Sequence, residues 1–403
     1  MFKIAFRNIF RQKRRTILTM LTMVGGFVLS AISIGYSDGF YSDVIERFTR
    51  SQMGHIQVHK GNYLERPSLY KTIESYESVG DTISQLDRVV DWAPRLYSAG
   101  LASVGEKSAG VKVIGVDPVR DSSATGFHTK IAQGAMLSVA PAQQVLLGRG
   151  LSNILQAEIG DSAVVVSQAA DGSIANEIYR IQGIVESGNQ AQDRMAFYLH
   201  LQEAQQLYVL PNQVHEILVI ADGINNLSEL TQRIDEQLSN DELTVSPWME
   251  VAKSFYQAMQ ADKQGMWIML FVIILIVAIG VLNTVLMSVL ERTREYGALK
   301  AMGTRPLEIF RMVVFEVAIL AIFSIILGSI FGSAMNYILS IYGISIGETV
   351  TMGGIEFSKM FTEVNLRTII IPGVTVLFTA ILVSIFPAIK AARIEPAKAM
   401  RMH

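Results

Sequence analysis

The side chains with the clearest chemistry to offer lie between Glu291 and Gly303, in the order Glu-Arg-Thr-Arg-Glu-Tyr-Gly-Ala-Leu-Lys-Ala-Met-Gly. Three cations (Arg292, Arg294, Lys300) and two carboxylates (Glu291, Glu295) in so short a stretch can form ion pairs, and none is set beside a nucleophile or a metal ligand set. The 25 residues before it, Met266 to Leu290, carry no charge, and a second long apolar run follows Glu316. A charge-dense helix held between two membrane spans is a handle that a soluble partner can grip. Other chemistries find little support. His55 and His59 are four apart, a metal-ligand spacing on a helix. Here, however, Gly54 to His59 alternates like a strand, which places the pair on one sheet face with no third ligand. There is no Gly-x-x-x-x-Gly-Lys-Ser/Thr phosphate loop, no Gly-x-Ser-x-Gly elbow and no cysteine. No catalytic, metal or cofactor site is therefore expected in this chain.

The elements that would hold this handle follow from hydropathy and charge. Half of the 403 residues are hydrophobic and only 17% are charged, against about 25% in an ordinary soluble domain. Four runs are long enough to cross a bilayer, which takes about 20 apolar residues: 16–36, 266–290, 312–342 and 368–389. The charge is divided by segment. Residues 1–15 carry six basic residues (Lys3, Arg7, Arg11, Lys13, Arg14, Arg15) and no acid, and 390–403 carry four basic residues and one acid. Residues 37–265 carry 17 basic and 28 acidic residues. Because basic segments stay in the cytoplasm, both termini and the handle (291–306) are expected inside, with 37–265 and a short loop, 343–366, outside. Residues 1–15 read as a basic amphipathic helix lying in the headgroup layer.

Within 37–265 the pattern is mixed. Asp38 to Gln52 and Val251 to Gln264 read as stalk helices. Strands are expected at Val111–Val116, Gln144–Leu147, Ala163–Gln168, Glu177–Val185, Ala196–Leu199 and Glu216–Ile220, with Asp171-Gly172 as a hairpin turn. Leu201–Tyr208 and Leu227–Leu238 read as helices. The expected fold is an α-helical membrane protein with four transmembrane helices and a mixed α+β, two-lobed domain inserted between the first and second. The spans hold almost no ionisable residue, which argues against an ion relay. Glu316 is the acid in the third span and is expected to pair with Arg292 or Arg311. Asn283 in the second span is able to bond across helices, and a packing role is expected of it. Pro387 lies near the inner end of the last span.

Three separated stretches carry a resemblance. Phe6-Arg7-Asn8-Ile9-Phe10-Arg11-Gln12-Lys13-Arg14-Arg15-Thr16, the handle with Lys300-Ala301-Met302-Gly303, and Phe386-Pro387-Ala388-Ile389-Lys390-Ala391-Ala392-Arg393-Ile394-Glu395-Pro396 resemble the FtsX-like permeases of the type VII, or mechanotransmission, ABC transporters. Leu147-Gly148-Arg149-Gly150-Leu151, Ile159-Gly160-Asp161 and Tyr179 to Val185 are similar to that family's MacB-type periplasmic core domain. The resemblance implies a multi-pass protein of the bacterial inner membrane. It also implies a dimer with a second copy or a paralogue, bound through 291–306 as coupling helix to a cytosolic ABC ATPase that would hold the ATP and magnesium. Glu291, Arg292, Thr293, Arg294, Glu295, Tyr296, Gly297, Lys300, Met302 and Gly303 are its expected coupling residues. Gly54-His55-Ile56-Gln57-Val58 is most like the lipoprotein-releasing permeases, implying lipoprotein or lipid-linked cargo, membrane lipid and a periplasmic carrier as partners, and no nucleic acid. The short hairpin at Asp171-Gly172 lacks the proline-bearing extension by which one lipoprotein-releasing subunit contacts its carrier. Efflux of peptides, antibiotics or other amphiphiles with an adaptor and outer-membrane channel, and regulation of a cell-wall hydrolase, are the alternative uses.

Overall fold

The computed structural model describes residues 13–352 and 355–399. It divides into two compact units: one takes the chain up to Ser42, Met259–Gly347 and Lys359 onward, the other Asp43–Ala258 and Glu348–Ser358. The expected amphipathic helix at 1–15, with Arg7 and Arg11, falls mostly outside the described residues. Lys13, Arg14 and Arg15 already belong to the first long helix, α1 (Lys13–Phe48). That helix ends in a π-helical turn, Thr49–Met53.

The second unit is built on one hydrogen-bonded sheet. Its strands are β1 (Ile56–Lys60), β3 (Val89–Val104), β4 (Lys107–Val116), β5 (Ile131–Gly134), β6 (Gln144–Gly148), β7 (Ser162–Gln168), β8 (Ile174–Val185), β9 (Ala196–His200), β11 (Glu216–Ala221) and β12 (Leu243–Pro247), while β2 (Ile73–Glu74) pairs with β10 (Gln213–Val214). The order along the sheet is β12-β1-β11-β3-β4-β9-β6-β8-β5, with β7 bridging β3 and β8. The two lobes expected from sequence are thus not two sheets. The strand that joins everything is β3, whose 16 residues pair with β11, β4 and β7 in turn. Sequence alternation does not reveal it, because Pro94 and Gly100 interrupt the pattern. Helices α2 (Tyr76–Ser84), α3 (Pro118–Thr125), α4 (Arg149–Leu155), α5 (Gln190–Asp193), α6 (Leu201–Leu207), α7 (Leu227–Leu238) and α8 (Trp248–Val251) complete the unit. The first residues of α3 are fixed by Asp117, whose carboxylate accepts from the N–H groups of Val119 and Arg120 at 2.9 and 3.0 Å, with Pro118 opening the helix.

Among the described residues, four helices are long and apolar enough to cross a membrane: α1, α9 (Lys253–Glu291), α11 (Pro306–Tyr342) and α12 (Arg367–Ala392). The second stalk and second span are one helix, α9. Short helices α10 (Thr293–Ala301) and α13 (Pro396–Ala399) complete the set. Residues 343–366, expected as a loop, contain two paired strands, β13 (Ile344–Met352) and β14 (Ile355–Met360). Without a hydrophobic drive between helices in lipid, close approach depends on small residues. Gly328 and Gly332 of α11 supply it: a Cβ on Gly328 would stand 2.7 Å from Phe27 Cγ, and one on Gly332 3.1 Å from Ala31 Cβ. Phe27 and Ala31 of α1 are fully buried there. Asn336, one turn further along α11, donates from Nδ2 to the Ala31 carbonyl at 2.9 Å. Asn336 is therefore the amide that bonds across helices, whereas Asn283 is exposed.

Candidate coupling site

The handle expected from sequence is α10 and the turn after it. Thr293 Oγ1 donates back to the Leu290 carbonyl at 2.7 Å, closing the junction with α9. At the other end Gly303 adopts φ +98°, a left-handed conformation that only glycine takes without strain. Its N–H donates to Lys300 O at 3.0 Å and that of Thr304 to Leu299 O at 3.1 Å. Helix α11 then starts at once, with Pro306 in its first turn and the Glu308 carboxylate accepting from Arg305 N–H at 2.9 Å.

The ten candidate coupling residues divide by direction. Arg292, Tyr296 and Gly297 are buried. Arg292 donates from Nε to Glu295 at 2.9 Å and from Nη1 to Glu316 at 3.1 and 3.4 Å, and its guanidinium stands 5.3 Å from the Tyr296 ring centre. Of the two expected partners of Glu316, Arg292 is the one found. Arg15 of α1 pairs with Glu291 at the end of α9. A cavity of about 30 Å³ lies beside these groups, lined by Arg15, Thr19, Ser288, Tyr296 and Glu316 together with apolar side chains such as Val285 and Leu320. Lys300 donates to the carbonyls of Ala392 and Ile394 at 3.0 and 2.8 Å, capping the end of α12. A Cβ on Gly297 would stand 2.6 Å from Ala399 Cβ, so α13 seats directly on α10. Arg292 and Lys300, expected as outward contacts, are thus spent on the protein's own spans. The bonds to Glu295, Glu316 and the two carbonyls offset the desolvation of these two cations. The exposed residues are Glu291, Arg294, Met302 and Gly303, joined by Arg305 and Leu307, which the sequence reading did not single out. Thr293 and Glu295 are half-buried, Lys13 and Arg14 exposed, and Pro387 is buried within α12.

A second set of buried polar contacts lies in the α/β unit, and sequence reasoning missed it. Arg95 of β3 donates from Nη2 and Nε to Asp121 Oδ1 of α3 at 2.6 and 3.2 Å, and from Nη1 to the Gln52 carbonyl at 2.9 Å. It therefore fastens the π-helical turn at the end of α1 to the central strand. Burial pushes the Asp121 carboxyl up, against the pull of Arg95. Phe48 stacks on Phe255 with ring centres 4.3 Å apart, tying the same end of α1 to the start of α9. The Asp-Pro at 117–118 was the available signal for α3; nothing in the sequence pairs Asp121 with Arg95. The histidines hold backbone. His55 Nδ1 accepts from Ala221 N–H at 2.9 Å. His215 Nδ1 accepts from Tyr97 N–H at 3.0 Å, with its Nε2 3.1 Å from Leu69 O. Burial lowers the pKa of both. His59 Nε2 lies 3.4 Å from Glu216, so His55 and His59 serve different partners.

Residues 16–237 match the family described as MacB-like periplasmic core domain, and 267–396 the one described as FtsX-like permease C-terminal. The lipoprotein-releasing system transmembrane protein LolC of Neisseria meningitidis serogroup B is 20% identical over 99% of this chain and 98% of its own length. The macrolide export ATP-binding/permease protein MacB of Marinobacter nauticus is 21% identical over 99% of this chain and 60% of its own. Among solved structures, the periplasmic region of MacB from Actinobacillus actinomycetemcomitans covers 52% of this chain and 95% of its own, with 17% identity and a TM-score of 0.39.

Proposed function

The chain belongs to the FtsX-like permeases that carry a MacB-like periplasmic core domain, and from that membership we propose that it converts ATP hydrolysis in a separate cytosolic ATPase into movement of its α/β domain. It is an ABC transporter permease of the LolC/MacB type. In the proposed arrangement α10 and the basic tail face the cytoplasm and the acidic α/β domain faces the periplasm, as the charge distribution requires. The observation that carries the reading is the two-sidedness of the handle. Its outer surface, Arg294, Met302, Arg305 and Leu307, offers two cations and two apolar side chains to a groove. Its inner surface is bonded to α11 through Arg292 and to the end of α12 through Lys300. A partner that moves the outer surface moves both spans. The permease works as a dimer, with a second copy or a paralogue. Replacing Arg294 with Glu and Met302 with Asp together should abolish association with the ATPase while leaving the protein folded in the membrane. Full transport with normal ATPase association would refute the assignment.

The cargo we propose is lipoprotein or another lipid-linked molecule handled at the outer leaflet. Its support is the likeness to LolC over nearly the full length of both chains. The similarity to MacB favours a second reading, efflux of an amphiphile through an adaptor and channel. Purification of the complex at native expression level, followed by mass spectrometry, separates the two. Acylated lipoproteins or a periplasmic carrier would support the first, and an adaptor with a channel the second.

A further inference from the structure

A cavity of about 90 Å³ lies between α1, α9 and α12, far along the spans from the handle. Its walls are apolar, formed by Ile34, Met266, Trp267, Leu270 and Ile371, with the hydroxyls of Ser33 and Ser37. Its rim is ionic. Lys263 stands three residues before the uncharged run of α9, Arg367 immediately before that of the last span, and Asp38 just after that of the first. All three therefore sit where the spans leave the hydrocarbon. Asp38 is satisfied already: it accepts from Arg367 Nη1 at 3.1 Å and from Asn365 Nδ2 at 3.0 Å. The nearby Asp262 carboxylate accepts from the Tyr41 hydroxyl. Lys263 lies over the Tyr41 ring, 4.8 Å from its centre, and among the described residues no carboxylate oxygen comes within 4.0 Å of its ammonium. Among the residues that line the cavity, two cations thus face one carboxylate, with Asp262 held outside it by Tyr41, beside a half-exposed tryptophan of the kind that marks a membrane interface.

We infer that this cavity is a binding site for a phosphate-bearing membrane lipid, with the phosphate against Lys263 and Arg367 and the first chain carbons inside. An apolar pocket with a net positive rim at headgroup depth suits such a ligand, since basic pockets between spanning helices take up lipid headgroups. The volume, about three water molecules' worth, admits that junction of headgroup and chain and leaves the rest of the lipid in the bilayer. The site does not depend on the coupling function proposed above.

The test uses the full chain in detergent, with native mass spectrometry reading the bound lipid. Phosphatidylglycerol is titrated against a diacylglycerol with the same chains, which lacks the phosphate. Phosphatidylglycerol should be retained and diacylglycerol lost. Lys263→Gln should weaken retention roughly fivefold, the effect of one basic residue near a lipid surface, while Lys263→Arg should preserve it. Equal retention of both lipids, or no change in Lys263→Gln, would overturn the assignment. Displacement of phosphatidylglycerol by millimolar inorganic phosphate would show a free-anion site and overturn it too. The comparison of the two lipids needs no variant, so a folding defect in one cannot shield the proposal.

Discussion

The ion pair between Arg292 and Glu316 makes an asymmetric prediction. The Arg292 side chain is 9% exposed and that of Glu316 17%. Removing one member of such a pair strands the other charge, at a cost of about 3–5 kcal/mol. The two removals are not equivalent here. Without Glu316, Arg292 still donates to Glu295 at 2.9 Å and still faces the Tyr296 ring. What Glu316→Leu removes is the charge-assisted bonding alone, about 1.5–3 kcal/mol. Without Arg292, Glu316 has no cation within hydrogen-bonding reach among the described residues, so Arg292→Met should cost the full 3–5 kcal/mol or so. In the double variant neither charge is stranded, and its loss should fall well below the sum, giving a coupling of about 2 kcal/mol or more. The assay is reversible unfolding of the full chain in mixed micelles with increasing SDS, for wild type, both single variants and the double. Losses that add to within about 0.5 kcal/mol would refute the reasoning, as would a Glu316→Leu loss larger than that of Arg292→Met.

Gly297→Ala should destabilise the protein by about 1–3 kcal/mol, the usual cost of an added methyl in a packed contact. Adding Ala399→Gly should restore most of it, and the same thermal or SDS unfolding series reads both. Arg95→Met should loosen the end of α1, because it leaves Asp121 buried without its cation and the Gln52 carbonyl without its donor. Hydrogen exchange at residues 49–56 should accelerate, and unchanged protection there would contradict the anchoring role. Acid should weaken the α/β unit through His55 and His215. Both have folded pKa values below the unfolded value near 6.5, so the folded unit takes up fewer protons. Their contribution is intact above about pH 6.5 and is lost as pH falls towards the folded values, with a slope of at most about 2.7 kcal/mol per pH unit for two protons. Denaturant midpoints followed by fluorescence of Trp92 and Trp248, compared in His55→Gln and His215→Gln, check the sign.

The membrane helices were legible because uncharged runs of 20 or more residues have few other uses, and their charged flanks stand out in the sequence. The hairpin of β7 and β8 was legible from Asp171-Gly172. The strand β3 was not, because its alternation is broken where it passes from one neighbour to the next, and its burial depends on partners distant in sequence. The handle was legible as a location. Which of its residues face inward was not, since Arg292 and Lys300 read as surface charges until Glu316 and the last carbonyls of α12 are brought beside them. Arg95 is hidden for the same reason: its acceptors, Asp121 and Gln52, are set by tertiary contact. The bond from Asn336 to Ala31 is not legible, because a lone amide in an apolar helix carries no mark of the face it occupies.

The way α10 is fastened also bears on how it would fail under load. Arg292 to α11, Lys300 to the end of α12, and the Gly297–Ala399 contact to α13 lie along one nine-residue helix and the residue that caps its start. A pull on that helix is shared among these attachments at once, as in a riveted plate, instead of opening them one after another, as in a zip. Attachments loaded together yield only when their combined strength is exceeded. Losing one of the three would therefore lower the tolerated force and leave the others holding, so stiffness should decline in steps as attachments are removed.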